Sequence, residues 1–284
     1  MNSKPILSHF QAREILLAMQ RKEGRVEVSL DLGVSSTPLL VDARGATLPE
    51  GQKVSFKMLK KMMKNPQKCF FVIDSQLEPI NYYSETTGWM RTLYPTKTVP
   101  TTLVSGYLMH RVKNTDPASD TKEKIKALGT LHSGGRFLDT SFGIGYTAIE
   151  LGKYGKVTTV DVDPGAIEIA KLNPWSSPLF SNPNIEIVVG DIREVIDTFS
   201  DNEFSHILHD PPSFQLADEL YSLEFYRKLF RVLKDGGVLF HYIGDPNSKL
   251  GSTVTRGVVE RLKEAGFGKI EHKPEAFGVV ASKR

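Results

Sequence analysis

Four acids stand at the ends of short apolar runs, each where a bound molecule would need an acceptor. The first run, RFLDTS, leads into Asp139-Thr140-Ser141-Phe142-Gly143-Ile144-Gly145. Glycines there let the backbone turn tightly and approach a ligand closely, and a helix starting just after them presents free N–H groups. The second run, KVTTVDV, carries Asp161 and then Val162, with Asp161 22 residues beyond Asp139. A carboxylate at that place accepts two hydrogen bonds from a ribose diol. The third, NIEIVVGDI, ends in Gly190-Asp191-Ile192, a carboxylate and an apolar side chain suited to the edge and face of an adenine. The fourth, FSHILHD, closes on Asp210-Pro211-Pro212-Ser213-Phe214. The two prolines donate nothing from their nitrogens, keep their carbonyls as acceptors and stiffen the turn.

These acids need a frame, and the texture of the chain from residue 135 supplies one. Buried apolar runs alternate with helical patterns near 145–153, 164–172, 192–198, 222–233 and 252–265. That alternation predicts right-handed βαβ units on a parallel sheet covered on both faces. In such a doubly wound α/β fold, ligands bind beyond the carboxyl ends of the strands, at the switch point. The last runs, GKIEHK and AFGVVAS, follow each other with no helix between them, which predicts a C-terminal antiparallel hairpin. Gly143, Gly145 and Ala148 also fit the G-x-G-x-x-A dinucleotide pattern, so a nicotinamide oxidoreductase is one alternative. Asp139, ahead of the glycines, would oppose a pyrophosphate and suits a ligand carrying an ammonium and a sulfonium.

The run from Asp139 through Ser141, Gly143 and Gly145, followed by Asp161 and Asp191, resembles the class I S-adenosylmethionine (SAM)-dependent methyltransferases. Their usual first glycine is Ser141 here, where a positive φ would be strained. The resemblance implies a Rossmann-like sheet and SAM as cofactor, with Asp139, Ser141, Gly143, Gly145, Asp161, Val162, Asp191 and Ile192 around it. Asp210-Pro211-Pro212-Ser213 is similar to the (D/N/S)-P-P-(Y/F/W) tetrad of methyltransferases that act on amino nitrogens, with Ser213 in place of the aromatic and Phe214 next along. An exocyclic amine on a base is a poor nucleophile because its lone pair is delocalised. A carboxylate and a carbonyl that each accept an N–H bond fix it and aim the lone pair at the methyl carbon, and the stiff turn serves that geometry. The longer run DPPSFQLADELYSLEFYRKLFRVLKDGGVLFHYIGDP, with GYLMHRVKNTDPASDTKEKIKAL upstream, resembles archaeal class I methyltransferases that carry an N-terminal accessory domain. What this implies is amino methylation of RNA, with N4 of cytidine in ribosomal RNA the preferred target. A polyamine aminopropyltransferase on the same fold is an alternative, for which Asp218, Glu219 and Glu224 offer an acidic acceptor side. A non-catalytic RNA-binding protein is another, since Ser141 and Ser213 depart from the pattern.

Residues 1–100 read as a small mixed α/β domain and 101–284 as the catalytic domain, with the junction at the proline-bearing YPTKTVPTT. Ser8 and Gln11 form a capping-box pattern for a helix ended by Gly24. Asp120 is the expected N-cap of the helix that follows the junction. The first 100 residues hold 14 Lys/Arg against 9 Asp/Glu, and the remainder 22 against 24. The excess sits partly in SFKMLKKMMK, which puts Lys57, Lys60, Lys61 and Lys64 on one helix face and Phe56, Leu59 and Met63 on the other. Such a stripe contacts RNA phosphates or is merely solvated. His110 and Arg111 are candidates for the cofactor carboxylate and an RNA phosphate respectively. Tyr82, Tyr83 and Tyr94, with Trp89, are read as core, with stacking surface for bases the alternative. His206 and His209 are spaced H-x-x-H, but on a strand they face opposite sides, so no metal site is expected; His209 and His241 read as buried, hydrogen-bonded histidines.

Composition closes off other classes. Of the 284 residues, 40% are hydrophobic and 24% charged, which excludes a disordered or fibrous chain. The single cysteine, Cys69, excludes an intramolecular disulfide and thiolate-rich zinc sites. No apolar run nears the roughly 18 residues of a membrane span, and no secretory h-region opens the chain. The expectation is a cytoplasmic protein with no membrane partner; oligomeric state is not legible.

Overall fold

A computed structural model describes residues 4–212, 217–245 and 248–284. The chain divides into two compact units: the first runs to Pro117 and takes in Ile167–Ser177, and the second comprises Ala118–Ala166 and Pro178–Arg284. No helix among the described residues is long and apolar enough to cross a membrane.

The first unit is built from short antiparallel sheets and two helices. Helix His9–Arg21 opens with the expected capping box: Phe10 N–H donates to Ser8 Oγ, and Ser8 N–H donates to Gln11 Oε1 at 2.9 Å. Its end is made by Lys22, which takes the left-handed conformation (φ 58) ahead of Gly24. Helix Phe56–Met63 buries Leu59 and Met62 against Ile15, Val54 and Phe70. Phe56 and Met63, expected on the buried face, are exposed beside the lysines, and Lys60 Nζ lies over the Phe56 ring. Tyr82 and Tyr83, read as core, are also exposed. Both lie on strand Asn81–Tyr83, at the edge of a four-stranded sheet.

Residue 100 does not divide the chain. Strand Met90–Tyr94 pairs with Thr101–Val104 in the register Tyr94↔Thr101, so Pro95 and Pro100 bracket a hairpin loop rather than a linker. Trp175 Nε1 donates to the Leu32 carbonyl at 2.9 Å, which ties the 167–177 segment into this unit.

The second unit is the doubly wound layer. Seven strands, β1 (Gly135–Asp139), β2 (Gly155–Asp161), β3 (Ile185–Val189), β4 (Phe204–His209), β5 (Leu233–Tyr242), β6 (Ile270–Lys273) and β7 (Gly278–Ser282), stand in the order 3-2-1-4-5-7-6. The first five are parallel, and β7 inserts antiparallel between β5 and β6 as the terminal hairpin. Its helices include α1 (Pro117–Ala127), α2 (Tyr146–Leu151), α3 (Ile192–Val195), α4 (Leu223–Val232) and α5 (Lys249–Glu264), while helix Pro164–Lys171 begins here and continues into the first unit. Phe225, Tyr226, Leu229 and Val232 put one stripe of α4 into the core with Leu138, Ile207, Leu239, Val258 and Leu262. Each such side chain contributes roughly 1.5–3 kcal/mol on burial. Helix α1 starts four residues earlier than expected, because Pro117 suits the first helical position. Asp120 therefore lies inside the helix, buried, rather than at its cap.

Candidate active site

The strand order reverses between β1 and β4, and that crevice is where a doubly wound sheet binds ligands. Asp139 ends β1 and lies opposite Leu208 of β4, two residues before Asp210. The Asp139 carboxylate is fully buried. Its Oδ2 accepts from Thr147 Oγ1 at 2.9 Å and Thr159 Oγ1 at 3.1 Å, and Ser141 N–H points at Oδ1. Burial raises its pKa to about 7, against the pull of the two threonine hydroxyls. The residue expected to greet an ammonium is thus already engaged by hydroxyls inside the unit.

The loop after it takes the form its glycines allow. Gly143 and Gly145 have φ of +56° and +84°, the left-handed region. A Cβ on Gly145 would also meet the Leu179 side chain at 2.7 Å, whereas the space at Gly143 is open. Ser141 does not adopt a positive φ, so serine is unstrained there. Gly143 N–H donates to Asp161 Oδ2 at 3.1 Å, and Asp163 N–H to Asp161 Oδ1 at 3.0 Å. Beside Asp161, Val162 is 44% exposed at the rim of the sheet.

Asp191 and Ile192 both have partners within the protein. Asp191 caps α3 through Arg193 N–H, and the Arg193 guanidinium closes on the same carboxylate, Nε to Oδ2 at 2.9 Å. Those bonds lower the Asp191 pKa. Arg193 also pairs with Glu219. Ile192 is 5% exposed and belongs to the core. Val162, by contrast, is exposed.

Asp210 follows β4 directly, with a side chain 21% exposed. The turn after it is pinned: Tyr221 OH donates to the Pro212 carbonyl at 3.0 Å. His209 is buried beneath it. The Leu220 carbonyl can only accept, so His209 Nε2 carries the proton and donates to it at 3.0 Å, while Nδ1 accepts from Thr140 Oγ1 at 2.8 Å. Burial lowers the His209 pKa to about 4. His241, also buried, pairs through Nε2 with Tyr226 OH at 2.8 Å. His209 ties its strand end to the turn before α4, and His241 ties its own to α4 itself. Ser213 and Phe214 lie outside the described residues. His110 and Arg111 fall in the first unit, where His110 Nδ1 shares a hydrogen bond with Thr101 Oγ1 at 2.8 Å.

Four residues go unread in the sequence. Lys124 of α1 reaches Asp210, Thr147 and Thr159 engage Asp139, and Tyr221 holds the proline turn. Only the first left a trace, as an acid and a lysine four residues apart in DTKEK.

The sheet order and its crevice define a Rossmann-like fold of the class I methyltransferase type. A methyltransferase domain family matches residues 137–237. Over 276 residues the chain is 41% identical to the uncharacterized protein MJ1233 of Methanocaldococcus jannaschii, covering 96% of this chain and 93% of that one. The chain belongs to the same family as that protein. Polyamine aminopropyltransferase 2 of Hyperthermus butylicus is 37% identical over 87 residues, 29% of this chain and 28% of its own length. A spermidine synthase solved with the transition-state analogue AdoDATO superposes with a TM-score of 0.60 at 20% identity, over 76% of this chain and 79% of that one. The spermidine synthase of Thermotoga maritima gives 0.57, again at 20% identity, over 75% and 76%.

Proposed function

We propose that this protein is a SAM-dependent methyltransferase acting on an exocyclic amine of a nucleobase in RNA, with N4 of cytidine in ribosomal RNA the preferred target. The observation that carries the reading is Asp210: a part-exposed carboxylate at the switch point, one residue before a proline turn braced by Tyr221.

The residues at the strand ends fit an adenosyl ligand. The open, left-handed position at Gly143 admits close approach, and the Asp161 carboxylate stands at the end of β2 for a ribose diol. Val162 offers an exposed apolar contact for the adenine. Asp139, whose pKa is raised to about 7, becomes the anion that a ligand's ammonium would favour. Bound there, SAM supplies a methyl group activated by its sulfonium, and the acceptor nitrogen gains that methyl and gives up a proton. The chain's own part is to hold the amine. The Asp210 carboxylate accepts one N–H, the Pro211 carbonyl accepts the other, and the pinned turn keeps both in place.

In the first unit, the exposed lysines Lys57, Lys60, Lys61 and Lys64 are the candidate RNA contact; among the described residues none of them is in an ion pair. Phosphate contacts of this kind position an RNA without reading its sequence.

A second reading, aminopropyl transfer to a polyamine, is favoured by the partial matches to polyamine aminopropyltransferases. Replacing Asp210 by Ala tests the first. SAM affinity measured by calorimetry is expected to stay near wild type while methyl transfer to RNA is lost. Near wild-type turnover in Asp210→Ala would remove Asp210 from the mechanism.

A further inference from the structure

Lys124 projects from α1 to the carboxyl end of the sheet and is 2% exposed. Its Nζ lies 2.6 Å from Asp210 Oδ2, 3.1 Å from Asp120 Oδ2 and 4.6 Å from the centroid of the Tyr242 ring. An ammonium has three N–H donors, and two carboxylates and a π face surround this one. Burial alone would lower its pKa, but Asp210 and Asp120 outweigh burial and raise it above the ordinary lysine value. A charge so deeply buried persists only when paired this closely. The cluster of Asp120, Lys124 and Asp210 carries one net negative charge, and the position beside Asp210 is taken by a cation that belongs to the protein.

We propose that Lys124 is a positioning and specificity residue, which fixes the Asp210 carboxylate as a hydrogen-bond acceptor and fills the place of a cationic acceptor, so that the site takes a neutral amine and turns away protonated alkylamines. This rests on the reading of Asp210 as the amine-holding carboxylate. A protonated diamine brought to Asp210 would meet the Lys124 ammonium a few ångströms away, and like charges at that range repel strongly where water is scarce. The exocyclic amine of a base is uncharged and needs only acceptors. The aminopropyl reading requires the opposite, a carboxylate left to attract a polyamine cation.

The test uses the full chain. The double variant Asp120→Asn/Lys124→Met removes one charge of each sign and keeps the net charge of the cluster. SAM affinity in it is expected to stay within about threefold of wild type, while kcat for methyl transfer to RNA from cells lacking the gene falls about 100-fold with KM little changed. Calorimetric affinity of the SAM-loaded variant for putrescine is expected to rise by about tenfold or more. Wild-type kcat together with wild-type putrescine affinity in the double variant overturns the proposal when Asp210→Ala is inactive. An active Asp210→Ala instead overturns the reading of Asp210. If the double variant does not fold, the wild-type protein decides. Weak or absent putrescine binding supports the charge filter; submillimolar binding, or aminopropyl transfer from decarboxylated SAM to putrescine, overturns it.

Discussion

Asp139 is held by hydroxyls in a fully buried position, and its proton is retained to about pH 7 against an ordinary value of 3.8. The folded state therefore binds a proton that the unfolded state has released. The stability this contributes is complete below pH 3.8 and is lost as pH rises through about 7. Asp139→Asn removes that dependence. Chemical denaturation from pH 4 to 8 is expected to show the wild type losing stability relative to the variant as pH rises; parallel curves would show that Asp139 ionises freely in the folded protein. His209 acts in the same range with opposite sign. Its folded value of about 4 lies below the ordinary 6.5, so its contribution is present above 6.5 and lost as pH falls through 4. The comparison with Asp139→Asn cancels it. At this scale the sequence is a partial guide. The apolar runs mark the strand ends, and with them the positions of Asp139, Asp161 and Asp210. They could not show that Asp191 is spent on Arg193, since a ligand's acceptor and a helix cap are the same residue type in the same place. Lys124 was hidden for a related reason: an acid and a lysine at i, i+4 read alike whether solvated or buried.

The β1 turn into α2 is the element on which the cofactor reading depends, and Gly145 is its tightest point. An alanine there must adopt φ near +84° and press its Cβ into Leu179. Gly145→Ala is expected to cost about 1–3 kcal/mol of stability and to weaken SAM binding. A variant with unchanged melting and SAM affinity would show that the turn relaxes freely. The elements of this sheet were legible because alternating apolar runs and helical periods have one economical arrangement, a parallel doubly wound layer. The terminal hairpin was legible from the missing helix between its two strands. The first unit was less so. Pro95 and Pro100 mark a tight hairpin loop and an interdomain linker with the same residues, and only the Tyr94↔Thr101 pairing separates them. Tyr82 and Tyr83 read as core because aromatic residues are usually buried, but on an edge strand they are exposed.

For the molecule as a whole, the basic first unit is the proposed RNA contact and the second unit the proposed seat of methyl transfer. If the lysine stripe contacts RNA phosphates, replacing Lys57, Lys60, Lys61 and Lys64 by Gln weakens RNA binding without changing which base is modified. The slope of log affinity against log salt should flatten by up to about 3, as four lost contacts to single-stranded RNA require. An unchanged slope would mark the stripe as a solvated helix face. The identity of the acceptor can be read out from the RNA itself. RNA from cells lacking the gene is incubated with the protein and methyl-labelled SAM, digested to nucleosides and analysed by mass spectrometry. Label is expected in N4-methylated cytidine. Absence of label from every nucleoside while SAM is bound, or label confined to base carbons or ribose, would contradict the proposed function.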